Sequence, residues 1–107
     1  MKALIVTGQN NHDWKTSTPI LKQILEDTGL FEVDVATSPP PGGNMDDFNL
    51  DFASYRLVVL NYSGDNWSAR TQKAFVDYVR SGGGVVVYHS ADNSFTEWKE
   101  YNEITGL

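Results

Sequence analysis

The sequence predicts one α/β domain, a parallel sheet flanked by helices, on three observations. Short, solid apolar runs at residues 3–6, Leu57–Leu60 and 85–88 lack the alternation of a half-wet strand and suit strands covered on both faces. Between them lie segments whose apolar residues recur at helical spacing. Each run also ends abruptly in polar groups, and open α/β sheets place ligands at the carboxyl ends of their strands.

The first strand, residues 3–6, opens into TGQNNHDWKTST, a polar loop in which Gly8 permits a tight turn. Thr18 before Pro19 predicts a helix start, with the hydroxyl as cap and proline at the first helical position. Ile20, Leu21, Ile24 and Leu25 give that helix one apolar face, and Gly29 stops it. Residues 31–36 alternate Phe31, Val33 and Val35 with Glu32 and Asp34, as expected of a half-exposed strand near a sheet edge. SPPPGGNMDD forbids helix and interior strand alike and predicts a surface loop of the kind that covers a site. A turn over residues 51–55 brings Phe52 and Tyr55 to the core ahead of the third strand, Leu57–Leu60.

Ser68 is the expected cap of a second helix with a buried stripe of Ala74, Phe75, Tyr78 and Val79, ended by Gly82. Gly82, Gly83 and Gly84 precede a strand instead of opening a helix, so they predict a helix C-cap and tight turn, not a phosphate cradle. After the fourth strand, residues 85–88, Ser94 or Thr96 would cap a short last helix holding Trp98, Tyr101 and Ile104. Right-handed crossovers then give the order 2-1-3-4 of a flavodoxin-like fold, with the switch point between the first and third strands. The loops after strands one, three and four converge on one crevice there.

Composition narrows the chemistry. A net charge of -6, with eight scattered Lys and Arg, argues against a nucleic-acid partner. No cysteine is present, which removes disulfides, thiolate metal sites and cysteine nucleophiles. The apolar stretch of MKALIVTG is too short for a signal peptide or a membrane span, so no membrane partner and a cytoplasmic location are expected.

The two histidines, His12 and His89, each lie just past a central strand. Imidazole titrates near neutral pH and binds zinc as the neutral base, so both are candidates for acid/base work or for a divalent metal such as zinc. A solvated loop histidine is the bland reading, and no close ligand spacing such as HExxH supports the metal. Asp92 is a further catalytic candidate beside His89, and Asp65 a carboxylate partner in the crevice. Ser90 lacks the G-x-S-x-G context of a nucleophile and is expected to donate a hydrogen bond to substrate or to the backbone of its own turn. Trp14, Asn61, Tyr62 and Trp67 would orient a ligand, since aromatic faces beside amides and carboxylates suit sugar rings and hydroxyls. Phe95 and Trp98 also lie in or next to these loops, and for them simply capping the core is an equal alternative.

Three stretches, KALIVTGQNNHDWKTSTPILKQILEDTGLFEVDVATSP, LVVLNYSGDNW and GGGVVVYHSADNSFTEWKEYNEITGL, together resemble the ThuA-like (trehalose utilisation) family, related to class I glutamine amidotransferases. The NHDW loop with its Thr-Pro helix start and the F-x-x-W-x-E-Y run are the most specific pieces. The resemblance implies a flavodoxin-like sheet and a role in the catabolism of trehalose or related disaccharides and keto-sugars, as a sugar-processing hydrolase or lyase. Where amidotransferase relatives carry a catalytic cysteine after the fourth strand, this chain has His89 and Ser90, so glutaminase chemistry by that route is excluded. A non-catalytic binding or regulatory module that lost its nucleophile is the competing expectation.

Family members run to about twice this length, so residues 1–107 are expected to be a ThuA-like domain truncated at its C-terminus. The fourth strand would then lie at an open edge, which implies truncation or pairing between chains as a homo-oligomer.

Overall fold

The computed structural model describes residues 1–9, 13–45 and 48–87. Four parallel strands, β1 (Lys2–Thr7), β2 (Glu32–Thr37), β3 (Leu57–Leu60) and β4 (Gly84–Val87), form one sheet in the order β2-β1-β3-β4. Two helices, α1 (Trp14–Asp27) and α2 (Ala69–Arg80), make the crossovers β1 to β2 and β3 to β4. The expected topology is the observed one.

The two-residue period of the strands divides the core into two layers. Ala3 and Ile5 of β1, Val33 of β2 and Val59 of β3 face Leu21 and Leu25 of α1. Their neighbours Leu4, Val6, Val58 and Leu60 point the other way, onto Phe52, Phe75 and Tyr78. Both central strands are therefore covered on both faces, which is why their sequences show no alternation. Edge-to-face contacts of Phe75 with Phe52 (5.5 Å, 70°) and with Trp67 (5.6 Å, 75°) pin the loops flanking β3 to α2. Thr71, in the first turn of α2, extends that attachment by donating its hydroxyl to the Phe48 carbonyl at 3.2 Å.

Helix α1 begins five residues earlier than expected, with Asp13 in place of Thr18 as its cap, and the start at Thr18-Pro19 is corrected by the chemistry of two side chains. The Asp13 carboxylate caps the helix, accepting the Thr16 N–H at 3.3 Å and the Thr16 hydroxyl at 2.7 Å. Those bonds hold its pKa below the ordinary carboxylate range. Thr18 is not free to cap, because its hydroxyl is buried against Thr7 at 2.8 Å. Pro19 lies inside the helix. The apolar face of α1 is also half as wide as expected: Leu21 and Leu25 pack on the sheet, while Ile20 and Ile24 are exposed.

Strand β2 lies at one edge with Glu32 and Asp34 exposed, as its pattern predicts, although Val35 is exposed too. Helix α2 begins as expected, with Ser68 accepting the Thr71 N–H at 3.3 Å. It ends at Gly82, whose φ of 94° is the left-handed conformation that glycine adopts without strain. Gly83 lies against the Tyr78 ring, where any side chain would collide. Strand β4 takes the outer position among the described strands, with Val86 exposed. Tyr88 and the short helix expected after Ser94 or Thr96 lie outside the described residues.

Candidate functional site

The carboxyl ends of β1 and β3 are adjacent in the sheet, and from them the chain leaves to opposite faces, to α1 and to α2. This is the topological switch point at which α/β sheets bind ligands. Buried polar groups occupy it. Thr7 ends β1 and Asn61 follows β3, each 1% exposed. The Asn61 amide donates to the hydroxyls of Thr18 (3.1 Å) and Ser17 (3.0 Å), and Thr18 and Thr7 share a hydrogen bond of 2.8 Å. Four side chains, from β1, from α1 and from the residue after β3, thus bond to one another and form the floor of the switch point. Buried polar groups held this way fix the first turns of α1 against both strand ends.

Above this floor, Gln9 joins three loops. Its Nε2 donates to the Pro39 carbonyl at 2.9 Å, and its Oε1 accepts the Asp65 N–H at 2.8 Å. Its own carbonyl accepts the Ser63 N–H at 2.7 Å. Gly64 packs flat against the Gln9 side chain, leaving no room for a Cβ. The Pro-rich loop is tied a second time, by the Gly42 N–H donated to the Asp65 carboxylate at 2.7 Å. Gly8, at φ 119°, lies directly against Ser38, so the segments leaving β1 and β2 touch backbone to backbone.

Of the residues expected at the site, Asn61 and Asp65 sit at this switch point, and both are committed to hydrogen bonds that shape it. Trp14 is the first residue of α1, half-buried, with the Lys15 ammonium 5.7 Å from its ring centre. The rings of Tyr62 and Trp67 are buried in the core, 6.0 Å apart, where they pack on each other. The Tyr62 hydroxyl donates to the Asp65 carbonyl at 2.6 Å, and burial pushes its pKa well above the ordinary tyrosine value. These two aromatics act on the crevice by holding the shape of the loop after β3.

His12, His89, Ser90 and Asp92 lie outside the described residues. Among the described residues no group of three His, Asp or Glu side chains could hold a metal ion. Gln9, Thr7 and Ser17 were not anticipated from the sequence, and Thr18 was anticipated only as a cap. The available signal was position: Thr7 and Gln9 flank the glycine that ends a buried strand, where a polar side chain must find partners.

Comparison with known proteins agrees with this architecture. The ThuA family, described as trehalose utilisation, matches residues 2–107. A crystal structure of a protein described as ThuA-like from Parabacteroides merdae ATCC 43184 superposes with a TM-score of 0.95 at 54% sequence identity. The match covers 97% of this chain and 37% of that one, so the chain spans well under half the length of its structural relative. No match is found among curated proteins. No described helix is long and apolar enough to cross a membrane. With its 2-1-3-4 sheet, its buried polar switch point and a family match along nearly its whole length, the chain belongs to the ThuA family.

Proposed function

We propose that this chain supplies the switch-point half of a saccharide site in a protein of carbohydrate catabolism, acting on trehalose, a related disaccharide or a keto-sugar. The crevice lies at the carboxyl ends of β1, β3 and β4. One observation carries the reading: the loops after β1, β2 and β3 are locked into one wall by Gln9 and Asp65, over a floor of mutually satisfied hydroxyl and amide groups. Such preorganised polar walls suit a neutral, hydroxyl-rich ligand, because the site's geometry is fixed before the ligand arrives.

In this reading His89, two residues beyond β4, and His12, in the loop after β1, move protons at a carbonyl-activated carbon or a glycosidic oxygen. Asp92 is the carboxylate partner of His89, Ser90 a donor to substrate, and Trp14 a flanking ring. Asn61 and Asp65 position the wall, with Tyr62 and Trp67 supporting it from the core. A zinc ion held by His12 and His89 would add Lewis acidity at the same place. Because no cysteine is present in this chain, none of these steps uses a thiolate nucleophile from it.

The test uses the full-length protein. Calorimetry against a sugar panel, with and without zinc, is followed by product analysis for the sugar that binds. His89→Ala should lower turnover by about 10²–10⁴-fold, the range of a lost general acid or base, with sugar affinity nearly unchanged. Unchanged turnover in that variant would remove the assignment, and binding without any turnover in the native protein would identify a non-catalytic module.

A further inference from the structure

A polar-rimmed cavity lies at the opposite end of the sheet from the switch point. It has a volume of about 440 Å³ and opens between the turn before β3 and the C-terminal end of α2. Arg56, immediately before β3, and Gly83, immediately before β4, both line it, which places it at the amino ends of those strands. We propose that this cavity is a second, independent saccharide-binding site, sized for a single pyranose ring.

Its walls carry the chemistry of a sugar site without the charge of an ionic one. The half-buried ring of Tyr55 and the methyl of Ala74 offer apolar surface, over a floor formed by Phe52 and Tyr78. The Tyr55 ring is held in place, since its hydroxyl donates to Asp34 at 2.7 Å. An apolar ring face needs such a wall, and a pyranose presents its axial C–H groups on one side. Around the rim stand two carboxylates and one guanidinium, all exposed. Asp51 accepts the Ala53 N–H through Oδ1, and Asp77 accepts the Lys73 ammonium through Oδ2. Each therefore keeps a second oxygen for a ligand hydroxyl. The Arg56 side chain has no hydrogen-bond partner among the described residues, and its planar fork suits adjacent oxygens on one ring.

The charges at and beside the rim sum to zero: Asp51, Asp77 and Arg56 line the cavity, and Lys73 pairs with Asp77 at 2.8 Å. A singly charged ligand gains little from such a rim in exposed surroundings, where ion pairs are screened. A neutral polyol gains from every group, because hydroxyls both donate to carboxylates and accept from the guanidinium. Cavity size agrees, lying within the range of about 300–1,000 Å³ usual for small-molecule sites. The proposal rests on this cavity alone and not on the function proposed for the switch point.

Two-dimensional amide NMR of the isotope-labelled protein, titrated with glucose, trehalose and, as a zwitterionic comparator, glycine, provides the test. The expected result is saturable shifts with glucose at the amides of Ala53, Arg56, Gly82 and Gly83, with millimolar affinity. Shifts at Gln9, Asn61 and Asp65 report separately on the crevice, so the two sites succeed or fail independently. Arg56→Ala and Asp51→Asn, both at exposed positions, should each weaken the response about tenfold, the effect of one hydrogen bond to a charged group. Ala74→Phe, which fills the cavity, should abolish it. The proposal is overturned if glucose moves none of the four amides, if glycine saturates them as glucose does, or if the well-folded Arg56 and Asp51 variants keep native affinity.

Discussion

Gln9 Oε1 accepts the Asp65 N–H at 2.8 Å, joining positions 56 residues apart in the chain. With its Nε2 on the Pro39 carbonyl, this one buried amide sets the spacing of three loops at the mouth of the crevice. Gln9→Leu keeps the volume but leaves the Asp65 N–H and the Pro39 carbonyl without their partner. The expected cost is about 1–3 kcal/mol for each group that stays dry. Urea denaturation measures it, and hydrogen exchange at Asp65 should accelerate more than the global loss accounts for. Native exchange at Asp65 in this variant would show that Gln9 does not clamp the loops.

Asn61 is the corresponding residue of the floor. Asn61→Leu removes the donor to Ser17 and Thr18 at a site 1% exposed, while the Thr7–Thr18 bond remains. A loss of about 1–3 kcal/mol is expected. Thr18→Val should cost no less, because it strips partners from both Asn61 and Thr7. A double variant should fall short of the sum of the singles, since the groups share one network. Strict additivity in a double-mutant cycle would contradict that coupling.

Two glycines with positive φ separate backbone strain from steric contact. Gly42, at φ 82°, has open space where a Cβ would stand, so Gly42→Ala should cost only the strain of about 1–2 kcal/mol. Gly8, at φ 119°, would drive a Cβ into the backbone and side chain of Ser38. Gly8→Ala should therefore destabilise clearly more than Gly42→Ala in parallel thermal melts. Equal melting temperatures for the two variants would rule out the close approach of the segments after β1 and β2.

Tyr55 supplies an alkaline signature. Its hydroxyl donates to the Asp34 carboxylate at 2.7 Å, and that bond, with burial, pushes its pKa up to about 12. The folded state thus holds a proton that the unfolded chain releases near the ordinary tyrosine value of about 10. The stabilisation is complete below pH about 10 and is lost as pH rises through 12. Tyr55→Phe should be less stable than the native protein at neutral pH, with the gap closing over that alkaline window. A gap independent of pH in chemical denaturation would exclude the Asp34 bond as its source.

The sheet was legible because its central strands are buried on both faces: residues 3–6 and Leu57–Leu60 could be nothing else, and Ser68 and Gly82 bracket α2 by local chemistry alone. The start of α1 was not: Thr18 before Pro19 has the local chemistry of a helix start, and only the burial of Thr18 against Thr7 and the Asp13 cap place the start earlier. The burial of the Tyr62 and Trp67 rings was not legible either: polar neighbours in the chain say nothing about which way a ring turns, and Trp67 packs on Phe52 and Phe75 with Tyr62 against it. By itself the sequence determined the strand order, the family resemblance and the absence of a cysteine nucleophile, all properties of residue type and local period. Tertiary structure decided that Gln9 ties the crevice together and that Asn61 belongs to its floor, because a buried polar side chain finds its partners only when distant strands and loops meet.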